Sequence, residues 1–205
     1  YLPLAAFAIG LALLLADLAW RQRPWARAAG ALLLIAFAVL AHRRGQVWAS
    51  ELSLWQDAAR KGPQMPRAQL YLGDARREAA ASAGAESESR VQAQLAMQAY
   101  QRVVDLEPPQ RVLALQAENG MAILEYQQGQ LDAAEARLRR VLAEHPEYAD
   151  GLVNLGNVSF ARARNSGGAD GLSLQRAIQL YERALSLAPG RYELRLNLGA
   201  ALHLS

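Results

Sequence analysis

The sequence predicts an all-α protein with two parts, an N-terminal transmembrane helical hairpin and an α-solenoid of helical repeats. Residues 1–41 are almost entirely apolar, whereas the remainder mixes charged and apolar residues at helical spacing. Small, bulky and proline residues also recur in a fixed order along this remainder, which indicates an internal repeat.

Two apolar segments, residues 2–20 and 25–41, predict the hairpin. As helices their 17 to 19 residues span about 26–28 Å, close to the thickness of a hydrocarbon core. The four residues between them suffice only for a tight turn. A signal peptide is a single shorter segment, and a core helix pair of a soluble protein is seldom apolar on every face. We therefore expect residues 2–42 to contact the lipid bilayer.

The arginines near the hairpin give a weak indication of its orientation. Three of them, Arg21, Arg23 and Arg27, lie at the connecting turn, and two, Arg43 and Arg44, follow the second segment. Positive residues favour the cytoplasmic side of a membrane. The turn is therefore expected in the cytoplasm and the repeats on the opposite side.

The charge distribution argues against nucleic acid as a partner. The formal net charge is +3, but residues 1–50 carry five arginines and one aspartate, leaving 17 basic and 18 acidic residues in the rest. The repeats therefore lack the basic surface that phosphates require. The chain has no cysteine and three scattered histidines, so no metal or other cofactor is expected. We find no catalytic constellation and predict that this chain is not an enzyme.

The repeats have a common signature around each proline. A small residue is followed four positions later by a bulky one and eight positions after that by proline; a Leu-Gly pair begins nine residues after the proline in most units. The residues predicted to pack the repeats are Leu72, Gly73, Ala96, Tyr100, Ala134, Leu138, Leu155, Gly156, Ala177, Tyr181, Leu198 and Gly199. Glycine and alanine let two helices approach closely, the bulky residue fills the remaining space, and proline ends the helix.

This signature resembles the tetratricopeptide repeat (TPR), a helix–turn–helix unit of about 34 residues. Prolines 63, 108, 146 and 189 are spaced by 45, 38 and 43 residues, which exceed that period by 11, 4 and 9. We place the extra residues at 79–89, 110–116 and 165–173. The first insertion lengthens the helices or forms a loop, and the glycines of the third predict a loop.

The ends of the repeat array are expected to be incomplete units. Trp48, Leu52, Trp55 and Ala59 form a stripe at helical spacing, which predicts a half-repeat at 45–62. Residues 192–205 match only the first helix of a fourth repeat, so we expect a longer protein. The predicted domains are the hairpin at 1–44, a linker and capping helix at 45–65, and the array at 66–205.

Three asparagines are candidates for binding a protein partner on the concave face of the array. Asn154 and Asn197 precede the signature glycine by two residues, and Asn157 follows it. They resemble the asparagine ladder of TPR proteins that hold extended peptides, since an amide both donates and accepts hydrogen bonds. Ordinary exposed asparagines explain them equally well. Val153 stands where the TPR carboxylate clamp has a lysine, which argues against that specialisation.

The order of parts resembles the C-terminal portion of bacterial transmembrane O-mannosyltransferase-like proteins with TPR tails. The matching features are Tyr1-Leu2-Pro3-Leu4, Trp48, Leu54-Trp55 and the array from Pro63 onward. The resemblance implies the bacterial inner membrane with the repeats in the periplasm. The leading hypothesis is a membrane-anchored scaffold for protein–protein interaction. Alternatives are the substrate-recruiting tail of a glycosyltransferase whose catalytic part lies upstream, and an accessory subunit docked into a larger membrane complex through its hairpin.

Overall fold

The computed structural model describes residues 9–10, 13, 24–107, 110–167 and 170–204. These residues form helices joined by short turns, with no strand among them, which confirms the predicted all-α class. The helices are α1 (Pro24–Val47), α2 (Glu51–Lys61), α3 (Pro66–Ser82), α4 (Glu86–Val104), α5 (Arg111–Gln127), α6 (Leu131–Glu144), α7 (Ala149–Asn165), α8 (Gly171–Leu187) and α9 (Tyr192–Leu204). The chain divides into two compact units, Tyr1–Asp57 and Ala58–Ser205.

Helix α1 is apolar and exposed. Of the helices in the described part of the chain, it alone is long and apolar enough to cross a membrane, through its segment Gly30–Val47, and none of that segment is buried. It contains the second predicted membrane segment. The first, residues 2–20, lies outside the described residues except for positions 9, 10 and 13. The hairpin and the domain boundaries drawn from it therefore stay predictions.

Two serines and an ion pair define the junction between α1 and α2. The backbone N–H of Ser53 donates to the Ser50 hydroxyl and that of Ser50 donates to the Ser53 hydroxyl, each over 3.1 Å, so α2 begins with a reciprocal cap. Arg44 donates to Asp57 Oδ2 over 2.8 Å. Helix α2 begins at Glu51, so Trp48 lies before it. The prediction that Trp48 belongs to the apolar stripe of this helix is therefore wrong.

The second unit contains the three predicted repeats and the first helix of a fourth. We name the pairs α3–α4, α5–α6 and α7–α8 repeat 1, repeat 2 and repeat 3. Each helix packs against the next, and the first helices also contact one another, α3 with α5, α5 with α7 and α7 with α9. The first helices therefore share one face of the unit, which we call the first-helix face. Pro108, the proline of repeat 1, lies outside the described residues.

The signature residues lie at the closest contacts between the helices. The three alanines of the second helices, Ala96, Ala134 and Ala177, are fully buried, as are the bulky residues four positions later. A Cβ atom added at Gly73 would lie 2.5 Å from Cε1 of Tyr100, and one added at Gly156 would lie 2.6 Å from Cε1 of Tyr181. Each tyrosine ring thus occupies the space that glycine leaves on the facing helix. Leu72 and Leu155 are buried beside these glycines.

Gly199 differs from the other two signature glycines. The sequence predicts a close approach there, but a Cβ atom at Gly199 would have nothing within 4 Å. In repeats 1 and 3 the approaching ring comes from the second helix of the same repeat, and no second helix follows α9 in the described chain. Leu198 is accordingly only half-buried.

The three insertions take different forms. The first insertion belongs to α3 and α4, which have 17 and 19 residues and are joined by a three-residue linker. Of the two predicted alternatives, longer helices or a loop, the structure shows longer helices. Most of the second lies inside α5. The predicted loop of the third, 165–173, is shorter in the structure, because residue 165 ends α7 and residues 171–173 begin α8; Gly167, between the two helices, has a φ of +64°. There Asp170 caps α8 by accepting from the backbone N–H of Ser173 over 3.0 Å.

Substituting the signature glycines tests this packing. We expect Gly73→Ala to destabilise the protein by about 1–3 kcal/mol, because Tyr100 also lies against Gly120 and so has no room to yield. Gly199→Ala is the matched control; it meets open space and is expected to be neutral or stabilising by up to about 1 kcal/mol. Denaturant unfolding of the full chain in a mild detergent measures both. Equal stability of the two variants contradicts the packing described here.

Candidate functional site

The three predicted asparagines lie on the first-helix face. Asn154 and Asn157 belong to α7 and Asn197 to α9, and all three side chains are half-buried. The structure brings them into two amide contacts, each of which joins neighbouring first helices. Nδ2 of Asn154 donates to Oδ1 of Asn119 on α5 over 2.8 Å. Nδ2 of Asn197 approaches Oδ1 of Asn157 at 3.4 Å, a longer and weaker contact.

Asn119 is a member of this amide group that the sequence reasoning missed. Asn119 is 9% exposed. It directly precedes Gly120, and Gly120 occupies the place in repeat 2 that Asn154 occupies in repeat 3. The two bonded asparagines are 35 residues apart, one more than the TPR period of about 34. That near-repeat spacing is the signal in the sequence that points to the pair.

Asn157 also accepts a hydrogen bond from the tyrosine of its own repeat. The Tyr181 hydroxyl donates to Asn157 Oδ1 over 2.8 Å, and in repeat 1 the Tyr100 hydroxyl donates to Asp74 Oδ1 over 2.7 Å. Asp74 and Asn157 both follow the signature glycine directly. The carbonyl oxygen of Asn157 therefore has a structural role that the sequence analysis did not assign, and the amide is fixed in orientation.

Burial raises the pKa of both tyrosines well above the usual value. For Tyr100 the neighbouring Asp74 carboxylate adds to the effect, and Arg77, whose Nε donates to the Tyr100 oxygen over 3.3 Å, opposes it. For Tyr181 desolvation is the dominant cause. Both phenols therefore stay protonated and act as donors throughout the physiological pH range.

A pocket opens on the first-helix face between α5 and α7, with a volume of about 140 Å³. Its apolar lining consists of Ala122, Ile123, Leu138 and Val158. Its polar lining consists of Tyr126, Gln127, Asn154 and Asn157. Among the described residues, no charged side chain lines this pocket. Two of the three predicted binding residues thus belong to the pocket, whereas Asn197 contacts Asn157 from α9 and does not line it.

Arginines near this face are engaged within the chain. Arg191 forms an ion pair with Asp150, and Arg195 donates to the backbone oxygen of Pro189 over 2.7 Å. Within the described residues no group of three or more His, Asp or Glu side chains is placed to hold a metal ion. The arrangement therefore offers amide hydrogen bonding and an uncharged recess.

Comparisons with known proteins identify the fold through solved structures. No family model matches the sequence, and no curated protein does. The crystal structure of TTC0263, a thermophilic TPR protein of Thermus thermophilus, is similar with a TM-score of 0.63 and 18% identity over 97% of this chain and 99% of that one. A crystal structure of MamA is similar with a TM-score of 0.50 and 18% identity, over 80% of this chain and 75% of that one. This chain therefore has the fold of a tetratricopeptide-repeat protein.

Proposed function

We propose that this chain is a membrane-anchored scaffold that binds a segment of a protein partner on its first-helix face. The observation that carries the proposal is the uncharged pocket between α5 and α7, bordered by amide side chains whose orientation is fixed. Solenoid repeats form extended surfaces that suit the binding of polypeptide segments. The TPR fold supports this class of function.

The amides at the pocket suit the recognition of a polypeptide backbone. The hydrogen bonds to Asn119 and Tyr181 use Nδ2 of Asn154 and Oδ1 of Asn157. Oδ1 of Asn154 and Nδ2 of Asn157 then supply one acceptor and one donor, and within the described residues neither has a hydrogen-bond partner. A peptide backbone offers the complementary N–H and C=O groups. Because these atoms are already positioned, binding costs little side-chain ordering.

The membrane anchor is supported by the exposure of α1. Large apolar side chains cover it, among them Leu32 at 68% and Ile35 at 59% exposed. Apolar surface in water costs roughly 25 cal/mol per Å², so a helix with none of its 18-residue apolar segment buried needs another apolar environment. Trp25 and Trp48, 61% and 60% exposed, lie at the two ends of α1, where indoles favour the membrane interface.

The location that we propose is the bacterial inner membrane, with the repeats in the periplasm. It is supported by the arginines at 21, 23 and 27, which favour a cytoplasmic turn, and by the resemblance to O-mannosyltransferase-like proteins. The same resemblance favours a second candidate function, in which the array recruits substrates to a glycosyltransferase domain upstream of residue 1. Membrane helices and acidic loop residues in that upstream sequence are what this candidate requires.

Photo-crosslinking tests the proposed partner-binding face. We expect a photoreactive residue at position 127, an exposed position in the polar lining of the pocket, to give a discrete adduct with another protein in intact cells. The matched control is position 182 on α8, also exposed but outside the pocket. Adducts are resolved by electrophoresis and identified by mass spectrometry. The same adducts from both positions, or none from position 127, contradict the proposal.

Charge substitutions on α1 test the anchor. We expect Leu32→Arg/Ile35→Arg to raise the fraction extracted by alkaline carbonate severalfold, because each arginine costs about 2.5–3.5 kcal/mol near the bilayer centre. The control pair, Val112→Arg/Leu172→Arg, replaces exposed apolar residues of the array and is expected to leave the wild-type fraction in the membrane. Anchoring by α1 is refuted when the two double variants behave alike.

A single introduced cysteine tests the location of the array. The chain has no cysteine, so Gln128→Cys, on the exposed turn between α5 and α6, places one thiol in the repeats. We expect a membrane-impermeant maleimide to label it in cells whose outer membrane alone is permeabilised. The labelled fraction is compared with that of fully lysed cells. Labelling that requires lysis places the array in the cytoplasm.

A further inference from the structure

Repeats 1 and 3 fill the space behind the first-helix face with a tyrosine ring. Tyr100 lies against Gly73 and also against Gly120. A Cβ atom added at Gly120 would be 2.5 Å from Cζ of Tyr100. Tyr181 lies against Gly156 in the same way. In each case the hydroxyl reaches a polar residue that follows the glycine, Asp74 or Asn157.

Repeat 2 replaces every member of this arrangement. Leu138 takes the place of the tyrosine, Ala122 that of the glycine and Ile123 that of the polar acceptor. Leucine has neither an aromatic ring nor a hydroxyl, and an isoleucine has no acceptor to offer. These three residues, together with Asn154 of the next first helix, line the pocket. The pocket therefore occupies the position that a tyrosine ring fills in the sister repeats.

We infer that this pocket receives one uncharged apolar side chain, of leucine to phenylalanine size, from an extended polypeptide segment. The inference rests on the proposed function and names the class of residue that the partner presents. The volume of about 140 Å³ is close to that of a cavity of roughly 150 Å³ that binds benzene. A tyrosine ring is also what the same site holds in repeats 1 and 3, so a group of that size matches the space.

The lining sets the charge of the occupant. A carboxylate or ammonium group in the pocket loses its hydration and finds no opposite charge, which is costly. An apolar side chain has no such hydration to lose, and it replaces water on the half-buried Ile123. The atoms Asn154 Oδ1 and Asn157 Nδ2 then stand beside the backbone of the inserted residue. They favour an extended segment, whose N–H and C=O groups are free, over a helix, whose groups are bonded internally.

Peptide binding to the full chain in detergent tests the inference. The probes are blocked nonapeptides of Ser and Gly whose central residue is Leu, Phe, Asp or Lys, with methyl resonances of Ile123 and Val158 as the readout. We expect the Leu and Phe peptides to bind at least tenfold more tightly than the Asp and Lys peptides. Equal affinities overturn the inference while peptide binding itself stands. Absence of binding by all four peptides overturns both the inference and the peptide-binding role.

A variant that restores the ring of the sister repeats provides the decisive comparison. Ala122→Gly/Leu138→Phe fills the pocket without a hydroxyl, and we expect it to lose the tenfold preference. Tyr100→Phe, which alters repeat 1 only, is the matched control and is expected to keep it. Ile123→Phe fills the pocket from its exposed side and serves if the double variant is unfolded. Persistence of the preference in the filled variants overturns the inference.

The same variants separate this inference from the proposed function in cells. Filling the pocket is expected to weaken the adduct from position 127 severalfold. An undiminished adduct means that the partner binds this face without the pocket, so the inference fails and the scaffold role remains. An adduct absent from the wild type as well refutes the scaffold role at this face.

Discussion

The contact between a tyrosine ring and a glycine determines how close the helices of this array lie. In repeat 1 the Tyr100 ring is held between Gly73 on α3 and Gly120 on α5, so one side chain fixes the separation of two first helices. Its hydroxyl is bonded to Asp74, which prevents the buried oxygen from being left without a partner. Interiors packed at this density do not accommodate an added methyl group without displacement. The first-helix face and its asparagines depend on that spacing.

Repeat 2 has the same helix pair without a tyrosine ring. It differs from repeats 1 and 3 at three neighbouring positions, 122, 123 and 138. A tyrosine at position 138 would meet Ile123 at the place where Asp74 and Asn157 accept hydrogen bonds in repeats 1 and 3. Leu138 has no hydroxyl and needs no acceptor there, and Ala122 supplies apolar contact in place of glycine. Ion pairs also join the two helices of repeat 2, since Arg137 donates to Glu125 over 2.7 Å and also contacts Glu118. The hydrogen bonds that Arg137 donates to the Glu125 carboxylate raise the pKa of Arg137. These contacts join α5 to α6 while the site between α5 and α7 stays open.

The sequence predicts the local and periodic features well, and the contacts between repeats poorly. The period places the helices and the buried residues Ala96 and Ala177, because each depends on spacing within one unit. The bond between Asn119 and Asn154 depends on which side chains of two neighbouring first helices meet, and the pattern within one repeat does not determine that. Asn157 is predicted as an amide that binds a partner, and the hydrogen bond that its oxygen accepts from Tyr181 within the same repeat is not part of that prediction. The pocket is visible in the sequence only when the three repeats are compared position by position.

The proposed membrane anchor raises the occupancy of a pocket that binds only one side chain. Complete burial of a Leu or Phe side chain contributes only about 1.5–3 kcal/mol, and ordering an extended segment consumes part of it. Two amide atoms add hydrogen bonds of modest net value. Such a site binds weakly in free solution. A partner held in the same membrane meets the array at a raised effective concentration, and for short flexible tethers this concentration reaches the millimolar range. In the function proposed here, anchoring by α1 supplies the occupancy that the pocket alone does not, and the pocket supplies the selectivity that anchoring alone does not.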